Sequence, residues 1–405
     1  MCGSRNGIGL LPIVGPQTNC SKANCLLSGT QNYHSDKLLI KLAAVQWLIG
    51  YTVKNMKFGL FQSVKLTTPQ EQVRYYKEAV AQVRHAEHLG FESVWITEHH
   101  FSRHGIGSAT LALLAYLAGV TEKIRLGTGV TVLPFHNPIE LAEQAATVDL
   151  LSDGRLDFGV GRGFQWGEFH KLNIPMEESN RRFEESMDVL TKAWTSTKPF
   201  DHNGEFWQFN DMTVHPRPVQ LPHPPIFVAA SSEASVNRVA RNDWNLLIGQ
   251  GETFEQVSKQ IQFYKNALAE EGNKFTQNRV VLARPMYTAP NLSQSKIDTE
   301  IPFMWFKQTG QEVGAPPDNQ VELLPEEYRS YRGRFAREVT FDYNAMYENV
   351  ALFGTPDDIT AKIKDLQKSG VEKIIFFINF GGIKHQKVLD SLDLFAKEVM
   401  PNFQD

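Results

Sequence analysis

From Lys57 onward the chain alternates short apolar runs with longer segments of helical periodicity, and it does so eight times. The runs fall at 57–62, 93–97, 124–132, 156–160, 225–230, 245–248, 279–288 and 373–378, and their composition suits buried strands. Helix-start signals separate several of them. Thr68-Pro69 with Glu71 predicts a cap, a first-turn proline and a capping box, followed by Val73, Tyr76, Val80 and Val83 at helical spacing. Asn137-Pro138 with Glu140, and Thr355-Pro356 with Asp358, repeat the pattern. Eight strand-then-helix units predict an α/β fold of the (β/α)8 TIM-barrel type with insertions. The open doubly wound sheet is the competitor, and it rarely needs eight such units.

Three stretches depart from the rhythm. Residues 200–218 read as a hairpin excursion, with Asn203-Gly204 as a type I′ turn signal between aromatic-rich arms. Residues 309–349 are long, polar and rich in Glu, Arg, Tyr and Pro, which predicts a mobile lid over the barrel mouth or a disordered segment. Residues 1–55 hold all three cysteines, Cys2, Cys20 and Cys25, and one acidic residue, Asp36. They read as an extension the fold does not need, with Met56 as the natural start; a transit peptide is the other reading. The cysteine-free body excludes disulfides, thiolate metal sites and a cysteine nucleophile there, and fits a cytoplasmic protein. A net charge of −4 gives no reason to expect nucleic acid or an anionic membrane as partner. No run of about 18 apolar residues exists to span a bilayer.

Each strand of such a barrel delivers its C-terminal tip to one face, where neighbouring loops enclose one pocket. The second strand ends in Glu98-His99-His100. Strand alternation puts Glu98 and His100 on one side and His99 on the other. General acid–base work and plain structural hydrogen bonding are both open readings of the triplet. Metal binding lacks further His or Asp ligands at the other strand ends. Gly127–Val130 follows the third strand, where glycines mark close approach of a ligand or another backbone. Arg162, between Gly161 and Gly163, can reach a phosphate or carboxylate with little hindrance. Ser231, Ser232 and Ser235 at a helix start form an anion cradle or an ordinary N-cap. Arg181 can assist a phosphate or pair with Glu184 or Glu185. Trp305, among Phe303, Met304 and Phe306, can stack on a planar ligand or belong to the core.

Taken in order, Lys57-Phe58-Gly59, Trp95 to Phe101, Gly127 to Pro134, Gly154 to Gly163 and Gly354-Thr355-Pro356 resemble the bacterial luciferase-like flavin monooxygenases, over essentially all of 56–405. The resemblance implies an FMN-using barrel in which reduced FMN from a separate flavin reductase reacts with O2 to oxidise a small organic substrate. His99 matches the family's catalytic histidine, with Glu98 and His100 in support. Gly129-Val130 matches a non-prolyl cis peptide under the isoalloxazine ring, and Gly161 stands where luciferase has a reactive cysteine. Arg162, Arg181, Ser231, Ser232 and Ser235 match phosphate contacts, Trp305 a tryptophan near the flavin, and the polar stretch after it a mobile loop. Homodimers are common in the family. A deazaflavin (F420)-dependent oxidoreductase and a non-catalytic flavin-binding protein are the alternatives the resemblance leaves open.

Overall fold

The computed structural model describes residues 55–404, apart from 277, 317–323, 327 and 329–339. The expected extension, except for its last residue, and 317–323, 327 and 329–339 of the expected lid lie outside the described residues. Within them, eight parallel strand positions close into the expected barrel. The strands are β1 (Lys57–Gln62), β2 (Ser93–Ile96), β3 (Arg125–Thr128), β4 (Thr131–Val132), β5 (Leu156–Gly161), β6 (Phe200–Asn203), β7 (Gln208–Met212), β8 (Ile226–Ala229), β9 (Asn245–Ile248), β10 (Val280–Thr288), β11 (Leu352–Gly354) and β12 (Lys373–Phe377). The ring runs β12-β1-β2-β3-β5-β8-β9-β10 and closes by pairing β10 with β12. β4 continues the third position beside β5, and β11 extends the sheet above the barrel on the last three residues of β10. β6 and β7 form a separate antiparallel hairpin.

The barrel interior is packed by matching large residues to glycines. Trp95 faces inward and is fully buried, with its indole donating from Nε1 to Ser93 Oγ at 3.1 Å. A Cβ on Gly127 would lie 2.4 Å from that indole, and one on Gly159 3.1 Å from it. The two glycines therefore form the slot that the ring fills. Phe227 meets the ring edge-on at 5.1 Å. Alternate residues point outward into the helix layer, where Phe58 and Phe376 pack on Phe395.

Several local expectations are corrected. The third strand is not continuous over 124–132 but is divided at Gly129–Val130, whose peptide bond is cis. Thr68 makes no cap bond: Pro69–Glu71 is a 3-10 turn, Glu71 pairs with Arg74, and the α-helix proper is Gln72–His88. Of the expected stripe, Val83 is buried and Tyr76 and Val80 pack partly buried against the core, beside Tyr75, Ala79, Gln82 and Ala86, while Val73 in the first turn is 68% exposed. The hairpin has no two-residue type I′ turn. Asn203 pairs with Gln208, leaving four residues between, because the Glu185 carboxylate accepts from the N–H groups of Phe206 and Trp207. Thr309 to Gly314, expected to begin the lid, instead completes the long helix Leu292–Gly314. The caps at Asn137 and Thr355 form as expected.

Candidate active site

Beyond Ile96 the chain keeps the alternation of the strand for three more residues, and this sorts the triplet. Glu98 is completely buried; its Oε1 lies 2.9 Å from His100 Nε2 and 2.8 Å from His136 Nε2. Its Oε2 accepts from the Val132 N–H at 2.9 Å. Burial pushes this carboxyl up, but the hydrogen bonds from His100, His136 and Val132 outweigh it and hold the group below the usual carboxylate range. Burial likewise pushes His100 down, yet its bond to Glu98 and the charges of Glu98 and Glu168 carry it above the ordinary value of 6.5.

His99 turns the other way. Its Nδ1 is 3.3 Å from Glu168 Oε1, and the same oxygen accepts the His100 backbone N–H at 2.8 Å. Glu98 and His100 therefore form a pair of their own rather than contacting His99. Glu168 escaped sequence reasoning because its helix, Trp166–Leu172, is only seven residues long and carries no capping side-chain bond. A second omission lies behind His99. His104 is buried, its ring edge-on to His99 at 5.1 Å and stacked on Phe306 at 4.8 Å, with Nδ1 3.0 Å from Thr309 Oγ1. The Lys65 ammonium donates to the His104 carbonyl and lies over the rings of Phe306 and Phe377. Burial drives Lys65 well below its ordinary value. It does the same to His104, helped by the charges of Lys65, His99 and Lys307. No pattern in the sequence marks these two as buried.

Ser63, Thr97, Thr131, Gln165, Gln250 and Asn379 each hold a buried side-chain oxygen with no hydrogen-bond partner among the described residues. Thr131 opens β4 and the others follow β1, β2, β5, β9 and β12, so they gather at one end of the barrel. Buried polar atoms without partners are rare in native proteins. Six around one mouth fit a site for a polar, planar ligand such as a flavin.

The serines and arginines lie on the more open side of the same rim. Ser232 caps the helix Glu233–Arg241, accepting from the Ser235 N–H at 3.3 Å. The Ser235 hydroxyl oxygen accepts from the N–H groups of Ser231 and Ser232 at 3.2 and 3.1 Å. The Arg162 guanidinium lies 4.4 Å from the centre of the Tyr328 ring. The Tyr328 hydroxyl bonds Gly163 O at 3.1 Å and Ser179 Oγ at 2.8 Å, joining the β5 loop to the helix Ser179–Thr195. Arg181, in the first turn of that helix, ion-pairs with Glu205 of the hairpin loop and not with Glu184 or Glu185. Arg238 Nη1 meets Glu184 Oε1 at 3.0 Å, tying this helix to the one that Ser232 caps. Arg181 and Ser235 each precede that ion pair by three residues, nearly one turn closer to the start of their helices. Trp305 is half-buried on the β12 side, beneath Arg103 and against Gly381, where a Cβ would come within 2.6 Å of its ring. Among the described residues, no group of three or more His, Cys, Asp or Glu side chains is placed to hold a metal ion, and no helix is long and apolar enough to cross a membrane.

This architecture has known counterparts. The chain is 28% identical over 364 residues to the flavin-dependent trigonelline monooxygenase, oxygenase component, of Acinetobacter baylyi, spanning 86% of this chain and 96% of that one. It is also 28% identical over 363 residues to the FMNH(2)-dependent dimethylsulfone monooxygenase of Pseudomonas putida, spanning 87% and 94%. The crystal structure of monooxygenase RslO1 from Streptomyces bottropensis superposes with a TM-score of 0.73 at 27% identity, covering 86% of this chain and all of that one. The model of the luciferase-like monooxygenases matches residues 56–373, from the first barrel strand into the last. With that match spanning the barrel, the chain belongs to the luciferase-like monooxygenase family.

Proposed function

We propose that this chain is the oxygenase of a two-component FMN-dependent monooxygenase, with His99 as its proton-handling group. When bound, reduced FMN supplies the two electrons with which O2 is split between a small organic substrate and water. The observation that carries the role of His99 is its tie to buried Glu168 at a mouth lined by unpartnered polar atoms. A carboxylate at Nδ1 favours the tautomer protonated there and leaves Nε2 to take a proton from, or return one to, the reacting oxygen. Glu98 and His100 hold the loop that carries His99. The Gly129-Val130 backbone forms the shelf for the ring system, with Trp305 at its edge. Arg162, Arg181 and the turn Ser231, Ser232 and Ser235 hold the phosphate. Phe306 and Phe377 keep water from the reacting centre.

A separate flavin reductase delivers reduced FMN, a reading supported by the words "oxygenase component" in the name of the Acinetobacter relative. The chain works as a cytoplasmic homodimer, and residues 1–55 are dispensable for fold and activity. Trigonelline and dimethylsulfone, named in the relatives, are the first substrates to assay, followed by aldehydes and ketones. Anaerobic titration with reduced FMN, run beside deazaflavin, tests the cofactor. Saturable binding of reduced FMN is expected; binding of deazaflavin alone overturns the assignment.

A further inference from the structure

Two parts of the proposed phosphate seat, the serine turn and Arg181, are filled by the chain's own oxygens. The Ser235 hydroxyl accepts the N–H groups of Ser231 and Ser232, and the Glu205 carboxylate pairs with Arg181. Glu205 reaches Arg181 because the hairpin loop is docked on the helix Ser179–Thr195. Glu185 accepts from the N–H groups of Phe206 and Trp207 at 3.0 and 2.8 Å, and Arg182 lies 4.3 Å from the centre of the Phe206 ring. The docking leaves little freedom. A Cβ on Gly204 would meet Glu185 Oε1 at 2.0 Å, and the Gly204 N–H donates to Trp207 O at 2.9 Å. Glu205 is thus presented from a fixed loop.

We propose that Glu205 is an internal stand-in for the cofactor phosphate, a carboxylate that occupies Arg181 until a phosphorylated flavin displaces it. The proposal rests on reading Arg181 and the serine turn as the phosphate seat. A phosphate carries up to two charges and three acceptor oxygens, so it outcompetes one carboxylate. Riboflavin has no phosphate and cannot. Glu205 therefore sharpens the preference for FMN over riboflavin and keeps FMN affinity low enough for release after each turnover. The pair is exposed, 52% at Arg181 and 53% at Glu205, so the competition is modest and reversible.

The test measures binding by the full-length protein of FMN, reduced FMN under anaerobic conditions, and riboflavin. The variants are Glu205→Gln, Arg181→Ala and the two combined. Glu205→Gln keeps the side-chain shape and leaves the Glu185 contacts that dock the loop. It should lower the FMN Kd about twofold to fivefold, the range an exposed ion pair commands. Arg181→Ala should raise it about tenfold. Adding Glu205→Gln to Arg181→Ala should change nothing, and riboflavin binding should be the same throughout. Unchanged or weaker FMN binding in Glu205→Gln, with the loss in Arg181→Ala intact, overturns the stand-in and leaves the phosphate seat standing. An equal gain with and without Arg181 also overturns it. Wild-type FMN binding in Arg181→Ala overturns the seat and the stand-in together.

Discussion

The two sides of the barrel mouth solve the problem of holding charge in opposite ways. On the β2 side, Glu98, Glu168, Lys65 and His104 are taken out of water and His100 is partly so, and each has a fixed partner. On the β8 side, Arg181 and the serine turn are open to solvent and satisfied by groups that a ligand can replace. Buried ion pairs are costly to break from one end, whereas exposed ones are weak and exchangeable. The dry side is therefore built for fixed geometry and the wet side for traffic.

The contrast breaks or sharpens under substitution. The largest effect belongs to His99→Ala, which should lower substrate oxidation about 100-fold to 10,000-fold while leaving FMN affinity near wild type. Turnover and flavin titration on the same preparation check it, and full turnover would remove His99 from the chemistry. Glu98→Ala should destabilise the fold by about 3–5 kcal/mol in urea unfolding, because it strands His100, His136 and the Val132 N–H around a void. An intermediate effect tests pH. The folded-state value of His104 lies below 6.5, so its contribution to stability is complete above pH 6.5 and is lost as pH falls below it. His100 is raised, so its contribution is complete below pH 6.5 and is lost as pH rises through its higher folded-state value. Removing the first in His104→Phe should leave stability falling less, or rising, between pH 7 and pH 5. Unfolding curves at the two pH values decide it. Smallest of all, Arg181→Ala should leave the thermal midpoint unchanged while reducing the salt dependence of FMN binding.

The same division governs how far the sequence was readable. Seven of the eight barrel strands were placed to within a residue, because runs of apolar residues in a fixed rhythm are a redundant signal. The rim residues Arg162, Ser231 and Ser232 were visible because glycines and caps announce loops. Glu168, Lys65 and His104 were not, since nothing local distinguishes a buried charge from a solvated one; only the fold that surrounds it does. Glu185 made the same point at the hairpin, where a carboxylate seventeen or more residues away overrode the Asn203-Gly204 turn. Val73 failed for a nearer reason: it sits in the first turn of the helix, where its side chain stays in solvent although the later Val83 is buried.

Trp95 has a consequence for the order in which molecules come and go. Its indole, seated in the slot left by Gly127 and Gly159, fills the barrel interior beneath the mouth. A ligand seated above that plug exchanges through the mouth, so whatever lies deepest arrives first and departs last. A chamber of this kind enforces a queue, in which a cofactor bound at the bottom would set the beat for every guest above it.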